Sequence, residues 1–369
     1  MILSAKSSAV CRDIVRDSKV AGAAGTLHRL DPLETPGWDG RIATFGEASI
    51  FHSAGWAGVL HGTYGHTPHY FCVVNGGKLS AVLPLMEVES RLTGKRGVSL
   101  PFTDECGVLS DGNSPCRDLL QDAIEFGRGR KWRYLECRGI AELPVGVASP
   151  SLSFHGHALR LGDPEDRIFS RLESSARRGI RKAEKSGVRV EVLQTLASVR
   201  VFYLLHCKTR MKHGLPPQSS AFFRSIFEHV LSKGLGFVAL ASYQGKPIAA
   251  ALFLHFGEKA IYKFGASEAA FQNLRGSSLV MWEAIKWYSC RGYKSLSFGR
   301  TSIANEGLRR FKLGFGTEEY RIDHVKYDFA RDAFVADRDK VFGWHNLVFR
   351  WMPVPLSRTI GRVLYKHLS

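Results

Sequence analysis

The sequence predicts a mixed α/β (α+β) protein made of two tandem copies of one unit, and two observations carry that prediction. A strand, a glycine turn and a second strand run from Phe71 to Leu85, and the pattern recurs from Phe237 to Phe253, with Gly77-Lys78 answered by Gly245-Lys246. Each hairpin is followed by a helical-period segment and a short strand: Cys116 to Arg128 then Trp132 to Glu136, and Ser277 to Arg291 then Tyr293 to Ser297. Self-similarity of this kind marks a duplicated supersecondary unit. Each copy should hold a mixed central sheet flanked by helices, and 369 residues suit two such domains.

Taken in order, residues 1–40 read as an N-terminal extension. Lys6, Arg12, Asp13 and Arg16 interrupt its apolar run, so neither a signal peptide nor a membrane span is expected. The first unit covers 41–160, with Leu119, Leu120, Ala123, Ile124 and Phe126 at helical spacing; the second covers 161–330, with Leu279, Val280, Ala284, Ile285 and Tyr288 in the equivalent helix. At the join, Asp163 is expected to cap a helix with Pro164 in its first turn, and Glu165 and Asp166 suit the positive helix start. That helix should run to Ser186 and stop at Gly187. It packs Ile168, Leu172, Ala176, Ile180 and Ala183 and carries Arg171, Arg178, Lys182 and Lys185 as a basic stripe. Residues 331–369 form a basic tail in which Arg350, Arg358, Arg362 and Lys366 interleave with aromatic and aliphatic residues, broken by Pro353 and Pro355. Such a tail either lies on an anionic membrane or docks on the protein's own core.

The formal net charge of +17 and the isoelectric point near 9.7 favour phosphates, nucleic acid or anionic headgroups as partners. Seven scattered cysteines without a C-x-x-C pair point to reduced thiols and a cytoplasmic location. The absence of a G-x-S-x-G elbow or a Walker loop disfavours serine-hydrolase and P-loop chemistry. His61, His66 and His69 have metal-like spacing, but no nearby cysteine or carboxylate completes a site, and no metal is expected.

The segment Leu308-Arg-Arg-Phe-Lys-Leu-Gly-Phe-Gly316 holds the leading catalytic candidates, Phe311 and Lys312. Acyl transfer passes through an oxyanion, and one fixed donor there is worth about 3 to 4 kcal/mol of barrier. A lysine clamped between Phe311 and the glycine turn could serve; the other reading is an exposed residue at a strand end. Arg178, Arg181, Lys182 and Lys185 are candidate phosphate contacts. Asn273-Leu-Arg275-Gly276-Ser277-Ser278 opens a helix and approximates the loop with which GNAT acyltransferases hold coenzyme A. It also reads as a plain turn with a serine cap.

The R-R-x-I-R-K-A-E-K-x-G-V helix, the repeat and the late G-L-x-R-F-K-x-G-F-G segment together resemble the Fem-type peptidyltransferases and the Fem-like acyltransferases of bacterial polysaccharide clusters. The resemblance covers roughly residues 45–330 and includes His52-Ser-Ala-Gly-Trp56 and the Leu100-Pro101-Phe102 stretch. It implies two tandem GNAT-like acyltransferase domains with an acceptor groove between them, Phe311 and Lys312 beside the acyl group, and phosphate contacts from the basic helix, Arg210 and Lys212. It further implies acyl-CoA or aminoacyl-tRNA as co-substrate, with no tightly bound cofactor. The acceptor would be an amine of a nucleotide- or lipid-linked glycan or peptide precursor, handled in the cytoplasm or at the inner face of the membrane. The two-helix arm of some Fem proteins is missing, which weakens the case for tRNA, and Cys106-Gly107 stands where a glycine pair is common. Asp323, Glu306 or the substrate itself would accept the proton. The alternative is a catalytically silent basic module that binds RNA or an anionic membrane.

Overall fold

The computed structural model describes residues 25–112, 116–337 and 354–367. The first half forms β1 (Thr26–Leu30), α1 (Trp38–Ile42), α2 (Ala54–Tyr64), β2 (Thr67–Asn75), β3 (Lys78–Ser90), β4 (Gly94–Val98), β5 (Leu109–Ser110), α3 (Cys116–Gly129), β6 (Tyr134–Ile140) and β7 (Leu152–Arg160). The second begins with α4 (Glu165–Arg171), α5 (Ser174–Lys185), β8 (Arg189–Leu193), α6 (Leu196–Lys212), α7 (Ser220–His229), β9 (Gly236–Tyr243), β10 (Lys246–Phe256) and β11 (Lys259–Ser267). It continues with α8 (Gly276–Ser289), β12 (Ser295–Ser297), β13 (Thr301–Ser302), α9 (Glu306–Leu313), β14 (Glu318–Asp328), β15 (Ala333–Phe334) and α10 (Val354–Leu364).

The duplication holds for the hairpin, the strand after it, the helix and the strand that follows, while among the described residues β5, α4, α5, β13 and α9 have no counterpart. Both hairpins close through two residues of positive φ, Gly76-Gly77 (55° and 78°) and Gln244-Gly245 (49° and 74°), as a type I′ turn requires. In each half the strand after the hairpin runs parallel to the strand after the helix: β4 to β6 through Gly97↔Leu135 and Val98↔Glu136, β11 to β12 from Lys259↔Ser295 to Ile261↔Ser297. Both contacts are short. β11 continues unpaired on that side to Ser267, which opens a wedge at the C-terminal ends of β11 and β12.

The strands join one sheet in the order β1-β2-β3-β4-β6-β14-β7-β12-β11-β10-β9-β8. Its middle departs from two sequential domains meeting at 161. β7 follows β6 in the chain yet pairs with β12, while β14 follows β12 yet pairs with β6. Each half therefore supplies the closing strand of the other, and the β7–β14 ladder, from Ala158↔Glu318 to Leu152↔His324, zips them together. Three successive antiparallel pairings set β6 and β12 in opposite senses, so the C-terminal ends of both strands point toward the sheet's centre. The N-terminal extension also enters the fold, because β1 pairs with β2.

Strand alternation distributes the core to two faces. Along β9, Phe237, Ala239 and Ala241 pack with α4, α5 and α8, while Val238 and Leu240 join the aromatic layer of α2, α6 and α7 around Trp56, Phe202 and Phe222. A third cluster packs α3 on β2, β3 and β6.

The single helix expected from Pro164 to Ser186 is two. Leu172 and Glu173 are extended between α4 and α5 (ψ 142° and 152°), and the Glu173 N–H donates to the Gly314 carbonyl at 2.9 Å. The break is thus where the chain docks on the Gly314-Phe315-Gly316 turn. It removes Arg171 from the stripe: Arg171 pairs with Asp163 at 2.7 Å, and Asp163 does not cap the helix. The predicted apolar face is buried throughout.

Trp344, Phe349 and Trp351 of the tail lie outside the described residues. Helix α10 packs on the protein's own surface: the Tyr365 hydroxyl donates to Pro216 O at 3.0 Å, and a side chain at Gly361 would strike Pro217 O. Among the described residues, no helix is long and apolar enough to cross a membrane.

Candidate functional site

Where β11 leaves β12, a cleft of about 190 Å³ opens, lined by Ala250, Ala251, Tyr262, Ser277, Met281 and Phe311 among others. Alanines on the strands make the room. Arg275 precedes α8 in the left-handed conformation (φ 58°), and no side chain caps the helix start, so the expected serine cap is absent and the positive end of the helix is uncapped. Gly276 sits against Ile248 and Ala249, and Ser277 is exposed at the mouth. Asn273, at the end of the preceding 3-10 turn, is also exposed.

The basic helix reaches the same place. Gly179 of α5 lies against Ser278, close enough that a Cβ would sit 3.1 Å from its hydroxyl. Arg178, Arg181, Lys182 and Lys185 are exposed beside this contact. The Arg181 guanidinium lies over Phe169 at 5.6 Å. The structure therefore joins two groups of predicted residues, the stripe and the 273–278 loop, at one edge of the cleft. It does not add Arg210, whose guanidinium is spent on Pro216 O (3.3 Å) and the Tyr365 hydroxyl (2.7 Å), holding α10. Lys212 is exposed at the end of α6, a helix that packs in the other core.

A cluster of charged side chains lies where the loop after β4 meets β11. Asp104 and Glu105 sit in the loop after β4, reached through Leu100 and Phe102, two non-glycine residues held at φ 52° and 62°. Such conformations persist only where surroundings enforce them. The enforcement is visible: Cys106 N–H donates to Arg138 O at 3.0 Å, and a Cβ on Gly107 would lie 2.5 Å from Gly139 O. His52, from the H-S-A-G-W motif, meets Gly107 O through Nε2 at 3.0 Å. Burial lowers the His52 pKa to about 4, so the ring is neutral near pH 7.

The second half answers with cations. In the β10–β11 ladder Phe253 faces Tyr262 and Leu252 faces Phe264, so Lys263 is the extra residue of a β-bulge, a device that redirects a side chain. Its ammonium donates to Asp104 Oδ2 at 2.9 Å. Asp104 also rests on Gly299, where a Cβ would lie 3.2 Å from the carboxylate. Burial works to raise the Asp104 carboxyl, yet Lys263, Arg300 and Lys312 hold it below its ordinary value. Glu105 differs: burial and the neighbouring Asp104 charge push its carboxyl up, only partly offset by the hydrogen bond it accepts from the Tyr320 hydroxyl at 2.6 Å. The two neighbouring carboxyls are thus shifted in opposite directions.

Phe311 faces the cleft, and Lys312 faces the packed charged cluster. Phe311 lines the cleft and packs on Phe315 at 5.3 Å. Lys312 stands on helix α9, not at a strand end, and is only 2% exposed. Its Nζ donates to Gly299 O at 2.8 Å and Arg300 O at 2.9 Å. Burial lowers its pKa to about 8, with Lys263 and Arg300 adding to the fall and Asp104 opposing it. Two of its three donors are thus committed to backbone, and the geometry fits a residue that positions the Gly299–Arg300 loop better than one that meets an oxyanion.

The expected proton acceptors lie elsewhere. Asp323 is engaged by Ser153 at 2.6 Å and Arg321 at 2.7 Å, and Glu306 is exposed at the start of α9 near Arg309. Glu105, whose carboxyl is raised, has as its sequence signal only its place beside the Leu100-Pro101-Phe102 stretch. His61 and His66 meet through Nδ1 and a carbonyl at 3.0 Å, and among the described residues no group of three or more His, Cys, Asp or Glu could hold a metal.

Residues 170–321 match the family model of the acetyltransferase (GNAT) domain. No curated protein matches the chain in sequence. Among solved structures, FemX superposes with a TM-score of 0.64 at 14% identity, over 83% of this chain and 98% of its own. A tandem GNAT protein from the clavulanic acid biosynthesis pathway gives 0.51 at 12% identity, over 85% and 99%. The C-terminal domain of a putative lysylphosphatidylglycerol synthetase from Agrobacterium fabrum gives 0.51 at 15%, over 76% and 89%. By fold, then, the chain is a mixed α/β protein of two tandem GNAT-like halves, the second carrying the match to a GNAT acetyltransferase domain.

Proposed function

We propose that this protein is an acyltransferase that moves an acyl or aminoacyl group onto an amine of a cell-envelope precursor. The observation that carries the reading is that β11 joins the cleft to the charged cluster: Tyr262 lines the cleft, while the next residue, Lys263, holds Asp104 beside Glu105. The donor's acyl end would lie in the cleft. Its phosphates, whether of acyl-CoA or of aminoacyl-tRNA, would meet the uncapped start of α8 and the stripe of Arg178, Arg181, Lys182 and Lys185. The acceptor amine would enter between the halves. Its nitrogen attacks the acyl carbonyl carbon, and the C–O or C–S bond breaks with its electron pair leaving on the donor's oxygen or sulfur; the proton lost by nitrogen passes to Glu105, and the departing tRNA hydroxyl or coenzyme A thiol takes up a proton from solvent. Lys312 keeps the Gly299–Arg300 loop against Asp104. An envelope acceptor is supported by the Fem-like motifs of the sequence and by the fold shared with FemX.

Purified protein, an envelope-precursor extract and labelled acetyl-CoA in one arm or aminoacyl-tRNA in the other test this directly. Label should reach the precursor in one arm. Transfer in neither would favour the other reading, a silent basic module, for which the exposed α5 stripe is the supporting feature; its RNA or membrane affinity would fall steeply with salt.

A further inference from the structure

A larger cleft lies far from the acyl-transfer site. It has a volume of about 840 Å³ and is walled by Arg96, Arg128, Lys131, Arg133, Lys326 and Asp328 around Trp132, Tyr134 and Phe329. Strand β14 fixes its distance from the acyl-transfer site: Tyr320 touches Glu105, and Asp328 stands eight residues further along the same strand, which at strand spacing is roughly 26 Å. The two places are at opposite ends of β14 and can be occupied independently.

The balance of charge in this cleft is lopsided. Arg128 pairs with Asp332 at 2.6 Å and Lys326 with Asp337 at 2.8 Å. The Asp328 carboxylate turns to its own backbone, accepting from Ala330 N–H at 2.9 Å and Arg331 N–H at 3.1 Å. Lys131 and Arg133, on either side of buried Trp132, are exposed and have no carboxylate within ion-pair distance among the described residues. Arg133 is nevertheless held in place: it donates to Thr93 O at 3.1 Å and lies across Gly94, where a Cβ would meet its Cδ at 2.6 Å. A guanidinium held in place, an exposed ammonium and a cleft of small-molecule size form an arrangement that recognises phosphate.

We propose that this cleft is a second binding site, for a small phosphorylated ligand of nucleotide size, contacted through Lys131 and Arg133. The inference does not depend on the acyl-transfer reading. Calorimetric titration at low salt with pyrophosphate, ADP and adenosine tests it, using wild type, the Lys131→Glu/Arg133→Glu variant, and an Arg178→Glu/Lys182→Glu variant that alters only the α5 stripe. Pyrophosphate and ADP should bind and adenosine should not. Affinity for pyrophosphate should fall at least tenfold in Lys131→Glu/Arg133→Glu and persist in the α5 variant, while both variants keep a cooperative thermal melting transition. Equal binding by wild type and Lys131→Glu/Arg133→Glu would overturn the proposal. So would wild-type binding to phosphatidylglycerol vesicles that is lost in that variant while pyrophosphate fails to bind, since the patch would then be a membrane contact.

Discussion

Lys312→Met should destabilise the protein, and the gap from wild type should widen as pH rises. Methionine has nearly the lysine's length but leaves Gly299 O and Arg300 O without their donor. Each lost charge-assisted bond in a buried setting costs about 1 to 3 kcal/mol, so a loss of roughly 2 to 4 kcal/mol is expected near pH 7. The pH term follows from the lysine's depressed pKa, which burial brings from 10.5 to about 8. Between those values the unfolded chain keeps a proton that the folded chain has released, so wild-type stability rises with pH across the window. At about 1.4 kcal/mol per unit, the term amounts to roughly 3 kcal/mol, and methionine has none of it. Urea unfolding of both proteins at pH 7.5 and pH 10 measures the difference. A gap that stays constant or narrows would refute the buried, desolvated ammonium on which this picture of the junction depends.

Three further changes separate the parts of the site. Ser277→Trp fills the mouth of the cleft from an exposed position, so donor KM should rise more than tenfold in steady-state assays while thermal stability is kept. Arg178→Glu with Lys182→Glu should weaken donor binding and flatten its dependence on salt, as read from binding isotherms at several ionic strengths. Gly361→Ala places a Cβ about 2.0 Å from Pro217 O, an overlap that costs about 1 to 3 kcal/mol. Protease cleavage within the tail should then become faster with little effect on transfer.

What could be read from the sequence was local. The hairpins, the helices behind them and the buried face of α4 and α5 follow from periods of two and 3.6 and from turn chemistry, all contained in short windows. The exchange of β7 and β14 leaves no such trace, because which strand a segment pairs with is decided by partners far away in the chain. The break at Leu172-Glu173 was hidden for a related reason: apolar spacing continues straight through it, and only the Gly314 carbonyl reveals it. For Lys312 a helix signal was present and undervalued. Asn305 accepts from Leu308 N–H at 3.1 Å as an N-cap, and Glu306 occupies the first turn, a pattern readable from the residues alone. The helix-opening loop and the basic stripe beside the cleft are each readable in the sequence, but their contact through Gly179 is not. Glu105 carries no motif; its altered proton affinity arises from Asp104, Tyr320 and burial, which only the fold assembles.

The central claim, that acyl transfer runs from a donor cleft to a proton acceptor between the halves, is tested most directly by Glu105→Gln. Glutamine keeps the size of the side chain and can still accept the Tyr320 hydrogen bond, so folding and donor KM should be unchanged. With the labelled donor and precursor, kcat should fall by about a hundredfold to ten-thousandfold, the usual contribution of a positioned general base. Turnover equal to wild type would contradict the account.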